Sequence, residues 1–347
     1  MASIRILDGG LGTSLEDKYG VKFNHSMPLW STHFLVQGEE TLLACQADFV
    51  TAGADVLLTA TYQTSIEGFQ RTRTADHPDG ISKEYIGGYM SKAVAIAEKA
   101  VRDSDSKIAL SLGPYGACMI PGQEYTGNYD DDHDSEESLY SWHLERLQLF
   151  TVVPGLIERI SYIALETIPR LDEFRAARRA VQDSGIKAPF WMAGVFPGEG
   201  DTLPDGSSIV QVVEAMVDPA TRGARPWGIG INCTKLHKLP SLIESFESAV
   251  KELIESGRLE RSPAMVVYPD GTNGEVYNTT TKTWEKPQGQ EHKDIANADS
   301  WASQLANVIR TSSTRGCFQS YLVGGCCKAS AVDIGDLKRE FASQGST

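Results

Sequence analysis

Eight short apolar segments punctuate the chain: Ile4–Leu7, Val56–Thr59, Ile108–Leu112, Tyr162–Leu165, Trp191–Val195, Gly228–Ile231, Ala264–Val267 and Tyr321–Val323. Several are continuous apolar runs rather than alternating ones, the mark of parallel strands covered on both faces. Between them lie helical signals. Leu42, Cys45, Phe49 and Val50 recur at helical spacing from Glu39 to Ala52, and Gly53 is placed to end that helix. Cys45 is therefore assigned to the core. Asp134 followed by Glu137 predicts a capping box opening a helix over Ser138–Phe150. Phe174–Val181 with Gly185 behind it, Leu242–Ile254 and Asp333–Phe341 are read as further helices. This alternation predicts an α/β fold, a (β/α)8 TIM barrel. A chain of 347 residues suits one large barrel or two ordinary domains. No internal repeat or low-complexity linker divides it, so residues 1–347 are expected to form a single barrel domain.

The chain carries 32 Lys and Arg against 46 Asp and Glu, a net charge of −14. That balance opposes binding to nucleic acid or to an anionic membrane and suits small neutral or cationic ligands. Ile4-Arg5-Ile6-Leu7 has neither the pattern of a signal peptide nor that of a transit peptide, and no apolar run approaches the ~20 residues that span a bilayer. A cytoplasmic location is expected.

The six cysteines are not scattered like a secreted disulfide framework. Cys326 and Cys327 are adjacent and follow Tyr321-Leu322-Val323-Gly324-Gly325, while Cys233 ends the run Trp227-Gly228-Ile229-Gly230-Ile231-Asn232. Neighbouring side chains on a regular strand point to opposite faces, so adjacent sulfurs meet one ion only where the backbone leaves extended geometry. Gly324 and Gly325 are expected to ease that departure. Three thiols at strand ends suggest one zinc site with an open position for substrate. Buried cysteines also serve as small apolar core residues, and that alternative stands, as does a vicinal disulfide between Cys326 and Cys327. Cys118 and Cys317 lie away from strand C-terminal tips, and the seven histidines show no metal-binding spacing.

Asp8 ends the first run and Glu166 the fourth, where a barrel would aim both at its mouth. They would hold a substrate ammonium group, or merely cap the following helices. Trp30 would offer an aromatic face to a cation, or pack against the barrel rim. Gly9-Gly10-Leu11-Gly12 lacks the spacing and lysine of a phosphate loop. The stretches Gly113–His133, Phe196–Ser207 and Pro269–Asp294 are read as long loops on the C-terminal face. The acidic run Asp130 to Glu137 is solvated surface or a field that attracts a cation.

Taken in order, Leu7-Asp8-Gly9-Gly10-Leu11-Gly12-Thr13, Pro28-Leu29-Trp30-Ser31, Thr59-Ala60-Thr61-Tyr62-Gln63, Gly113-Pro114-Tyr115-Gly116-Ala117, Glu124-Tyr125-Thr126-Gly127, Glu166-Thr167-Ile168-Pro169, Gly230-Ile231-Asn232-Cys233-Thr234 and Val323-Gly324-Gly325-Cys326-Cys327 resemble the homocysteine S-methyltransferase family over nearly the whole chain. The resemblance implies a (β/α)8 barrel with a zinc ion held by Cys233, Cys326 and Cys327. It implies that Asp8 and Glu166 bind the amino-acid end of homocysteine. Trp30 and Asn232, inside matched motifs, are expected to join them in binding substrate. The implied reaction is methyl transfer from S-methylmethionine or S-adenosylmethionine to the homocysteine thiol, giving methionine. Lys328-Ala329-Ser330 departs from the family pattern of arginine, threonines and proline, and the loop Tyr268 to Glu275 is longer than usual. Two readings from other classes stand beside this one: a zinc barrel hydrolase, and a non-catalytic thiol-binding or sensor protein.

Overall fold

The computed structural model describes residues 2–24, 26–271, 276–278, 283–285 and 299–343. Its barrel strands are β1 (Ser3–Ile6), β2 (Val56–Leu58), β3 (Lys107–Leu112), β4 (Tyr162–Ile168), β5 (Phe190–Gly194), β6 (Gly228–Asn232), β7 (Ala264–Tyr268) and β8 (Ser320–Val323). All pair in parallel, in the order β1-β8-β7-β6-β5-β4-β3-β2. A parallel bridge between Leu7 and Val56 joins the two ends of that order and closes the ring. Helices follow the strands around the outside, as the apolar runs predicted, and the fold is a (β/α)8 barrel. No described helix is long and apolar enough to cross a membrane.

Strand alternation sorts the core into two layers. Leu7, Val56, Ala109, Ala164, Trp191, Ala193, Val266, Tyr268 and Leu322 form the inner cluster. Ile6, Leu57, Ile108, Leu110, Ile163, Leu165, Ile229, Ile231 and Val267 belong to the larger cluster shared with the helices. Along β6, Gly228 and Gly230 take inward positions. A Cβ at Gly230 would collide with the Val266 carbonyl, and one at Gly228 would press on the Val266 side chain at 2.8 Å. Without side chains there, the barrel has room for the fully buried indole of Trp191, whose Nε1 donates to the Tyr268 hydroxyl at 3.1 Å.

Several local expectations are corrected. The helix at Glu136–Thr151 opens with Ser135 as its cap, reciprocated by Ser138, not with Asp134 and Glu137. Ser135 has the extended backbone that aims its hydroxyl at the Ser138 N–H, while Asp134 turns away to pair with Arg170. The helix around Phe174–Val181 is longer, Leu171–Ser184, with Gly185 left-handed behind it as expected. Helices at Lys83–Val101, Ile209–Val217 and Trp301–Arg315 complete the outer ring. Gly113–His133 holds two short 3-10 turns, Tyr115–Cys118 and Asp131–His133. Within Pro269–Asp294, Val276–Asn278 and Thr283–Glu285 pair as an antiparallel ribbon. The extra residues 272–275 of the long seventh loop lie outside the described residues.

Candidate metal and amino-acid site

The C-terminal mouth of the barrel encloses a cavity of about 250 Å³. Its wall includes Trp30, Glu166, Asn232, Cys233, Cys326 and Cys327, with Glu166 inside β4 and the last four at or just beyond the ends of β6 and β8. Asp8 is not in the lining; it is buried, 2 % exposed, one residue before the lining Gly9.

Cys233 follows β6 with φ 46°, a left-handed turn that takes its side chain out of strand alternation. On the far side, β8 runs into Gly324 and Gly325. Neither glycine is left-handed; the left-handed residue is Lys328, φ 64°. The glycines are needed for close approach instead. A Cβ at Gly324 would sit 2.6 Å from the Asp8 carbonyl, and one at Gly325 would run into the Ala329 Cβ. The Gly325 N–H donates to the Asp8 carbonyl at 3.0 Å and the Cys326 N–H to the Pro269 carbonyl at 2.8 Å, which clamps the cysteine pair between β1 and β7.

The sulfurs of Cys233, Cys326 and Cys327 and a carboxylate oxygen of Asp270 all lie within 4.8 Å of one another. Cys233 and Cys326 are joined as a disulfide, and Cys327 is a free thiol, so the vicinal pairing is not the one formed. The two strand tips aim both sulfurs at one point, which is why they meet. Tetrahedral zinc with Zn–S bonds of ≈ 2.3 Å needs donor atoms about 3.8 Å apart. Once reduced, a set of three thiolates with the buried, unpartnered Oδ1 of Asp270 beside them fits that requirement. Burial pushes the Asp270 carboxyl up to about 7 against the pull of Lys235, and burial, then the charge of Asp270, raises the Cys327 thiol.

Asn232 orients this cluster. Its Nδ2 donates to Thr167 Oγ1 at 2.7 Å and to Cys233 Sγ at 3.3 Å, and its Oδ1 accepts the Thr167 N–H at 2.8 Å. Thr167 sits at φ 62° in an irregularity of β4 between Leu165 and Ile168, so Glu166 lies at a bulge inside the strand rather than at its end. The bulge aims Glu166 into the cavity. Its carboxylate accepts from Ser111 Oγ and the Tyr268 hydroxyl, and burial nonetheless pushes it up to about 7. Asp8 Oδ2 accepts the Leu58 N–H at 2.8 Å, whereas Oδ1 is buried without a partner. Burial, then the charge of Glu166, raises the Asp8 carboxyl well above its ordinary value. Neither carboxylate caps a helix: the helices that follow have no side-chain cap bond. Two buried acids within electrostatic reach of each other, only partly compensated, suit an ammonium group.

Trp30 packs at the barrel rim, the second of the two roles considered for it, and its ring also faces the cavity. It lines the cavity, packs at 5.4 Å on Phe23 and 6.5 Å edge-on to Tyr62, and leaves its Nε1 unpartnered. The acidic run lies outside the cavity lining, with Asp130 on His133, Asp134 on Arg170, and Glu136 and Glu137 on Arg179. The sequence reading gave no role to Glu124, Tyr125, Tyr268 or Asp270. Glu124 and Tyr125 were present in a matched motif, but a lone Glu-Tyr pair in a loop carries no chemical signature of its own.

The homocysteine S-methyltransferase family profile matches residues 5–341. The chain is 30 % identical to homocysteine S-methyltransferase YbgG of Bacillus subtilis over 96 % of its length and 92 % of that protein. Homocysteine S-methyltransferase 1 of Arabidopsis thaliana is 28 % identical over 97 % of this chain and 93 % of its own. Among solved structures, the metallated form of the homocysteine methyltransferase MmuM from Escherichia coli superposes with a TM-score of 0.67 at 25 % identity, covering 97 % of this chain and 96 % of that one. Fold and sequence agree from the first strand to the last helix: the chain is an enzyme of the homocysteine S-methyltransferase family.

Proposed function

We propose that the enzyme uses zinc, held by Cys233, Cys326 and Cys327, to move a methyl group from a sulfonium donor to homocysteine. The observation that carries this reading is the convergence of three thiols from two strand tips on a cavity lined by Glu166, with Asp8 buried just behind that lining and within the electrostatic reach of Glu166. When bound, zinc supplies the Lewis acidity that deprotonates a coordinating thiol, whose free pKa is about 8.5.

The chain's own residues do the rest. Glu166 and Asp8 receive the ammonium of homocysteine, which fixes the direction of its side chain toward the cysteines. Asn232 and Thr167 hold Cys233 through donated hydrogen bonds. The apolar and aromatic lining excludes water, so the partners react at near-attack distance. The thiol proton leaves to solvent, the homocysteine sulfur forms the new S–CH3 bond, and the old CH3–S⁺ bond breaks with its electron pair passing to the donor sulfur. The donor leaves as a neutral thioether.

A cavity of about 250 Å³ is below the ~300–1,000 Å³ of sites for drug-sized ligands. That favours amino-acid-sized S-methylmethionine over nucleoside-bearing S-adenosylmethionine. Methionine formation from homocysteine and each donor, run beside zinc analysis of Cys326→Ala, tests the reading. Loss of zinc and of turnover is expected; full zinc content with full activity would overturn it.

A further inference from the structure

Glu124 is a buried carboxylate to which the chemistry above gives no task. It lies in the loop after β3, lines the cavity and is 8 % exposed. Its Oε2 is buried without a hydrogen-bond partner. Gly122 leaves room for this carboxylate, since a Cβ there would run into Oε2. The walls nearby are apolar and aromatic, with Met27, Trp30, Tyr62, Met119 and Ile120 all in the lining.

Its place relative to the rest of the site is informative. The next residue, Tyr125, brings its hydroxyl within 3.9 Å of Cys327 Sγ. The loop that carries Glu124 thus reaches the thiol cluster, and the charge of Glu124 acts on Cys327, Tyr125 and Tyr62. Burial disfavours its anion and pushes the carboxyl up to about 7, and a cation seated beside it would favour the charged form again.

We propose that Glu124 is the specificity residue for the methyl donor, its carboxylate facing the sulfonium centre across the aromatic lining. This rests on the sulfonium reading given above. The positive charge that Glu124 holds is the one the reaction abolishes, because the donor leaves as a neutral thioether. The carboxylate therefore stabilises bound donor more than transition state, and its role lies in capture and discrimination, not in speeding the chemical step. It also favours product release, since methionine offers it no cationic sulfur.

The test compares the zinc-loaded full chain with Glu124→Gln. The expected result is at least a tenfold rise in KM for S-methylmethionine, with kcat unchanged or higher and KM for homocysteine within twofold. Glu124→Asp should recover part of the loss. Trimethylsulfonium has the cation without an amino-acid group, and it should compete with the donor in the wild type and at least tenfold more weakly in Glu124→Gln. Equal inhibition of both proteins, or an unchanged donor KM, would overturn the assignment. Wild-type turnover confined to an uncharged donor would instead overturn the sulfonium reading, and this inference with it. Should Glu124→Gln not fold, Gly122→Ala displaces the carboxylate while keeping its charge. The same rise in donor KM is expected there, and an unchanged value counts against the proposal.

Discussion

The Asn232 amide donates to Cys233 Sγ at 3.3 Å while its carbonyl oxygen takes the Thr167 N–H at 2.8 Å, so one side chain couples a cysteine to the β4 bulge. Asn232→Ala would leave buried groups of Thr167 unpaired, at about 1–3 kcal/mol. Loss of a partner that orients a metal ligand typically lowers affinity 10–100-fold. Chelator competition for zinc and urea denaturation should show both effects, and Asn232→Asp should recover the Thr167 bond alone.

Glu166 gives the site a pH dependence. Its carboxyl is pushed up to about 7 in the folded protein against an ordinary value near 4.5, by burial that Ser111, Tyr268 and Arg146 only partly offset. Asp8 is raised beside it. The native state therefore holds more protons than the unfolded state between about pH 4.5 and 7, and ligand-free stability falls as pH rises through that window. Glu166→Gln should remove on the order of 2 kcal/mol of this slope, read from urea denaturation at pH 5 and 8. Affinity for an amino-acid ammonium runs the other way, because it needs the anion. Methionine, which carries the ammonium without a thiol, should bind more tightly as pH rises from 5.5 to 7.5, and calorimetry should register proton release.

Glu173 is fully buried and ties the loop after β3 to the outer helices, accepting from the Tyr115 N–H at 2.7 Å and the Tyr129 hydroxyl at 2.5 Å, with His143 Nε2 at 3.0 Å. Glu173→Ala should cost about 1–3 kcal/mol for each buried donor it leaves unpaired. The same loop carries Glu124 and Tyr125, so donor KM should rise more than homocysteine KM. Thermal denaturation and steady-state kinetics check the two parts.

Gly230→Ala should prevent assembly of the barrel, because the new methyl group would occupy the place of the Val266 carbonyl. A penalty beyond ~4 kcal/mol is expected, seen as loss of the cooperative unfolding transition.

Much of this was legible in the chain. The eight strands were readable because doubly covered parallel strands are continuously apolar, and Cys233, Cys326 and Cys327 because each follows such a run. Other features depend on partners distant in sequence. The bulge at Thr167 and the sharing of Asn232 between β4 and β6 have no local pattern. Glu124 differs from any surface glutamate only in being buried in the cavity wall, which a loop sequence does not announce. Gly324 and Gly325 were correctly singled out for the wrong reason: they are set by the closeness of Asp8 and Ala329, not by turn geometry.

The pairing of β1 with β8 bears on the order of biosynthesis. Thr13 Oγ1 accepts the Lys328 N–H across 315 positions of sequence, and the Asp8 carbonyl holds Gly325. A chain synthesised up to β8 contains Asp8, Glu166 and Cys233 of the site, but neither Cys326 nor Cys327. Strand closure across so long a separation is slow. Under the zinc proposal, a full set of three thiolates exists only once β8 has docked between β1 and β7.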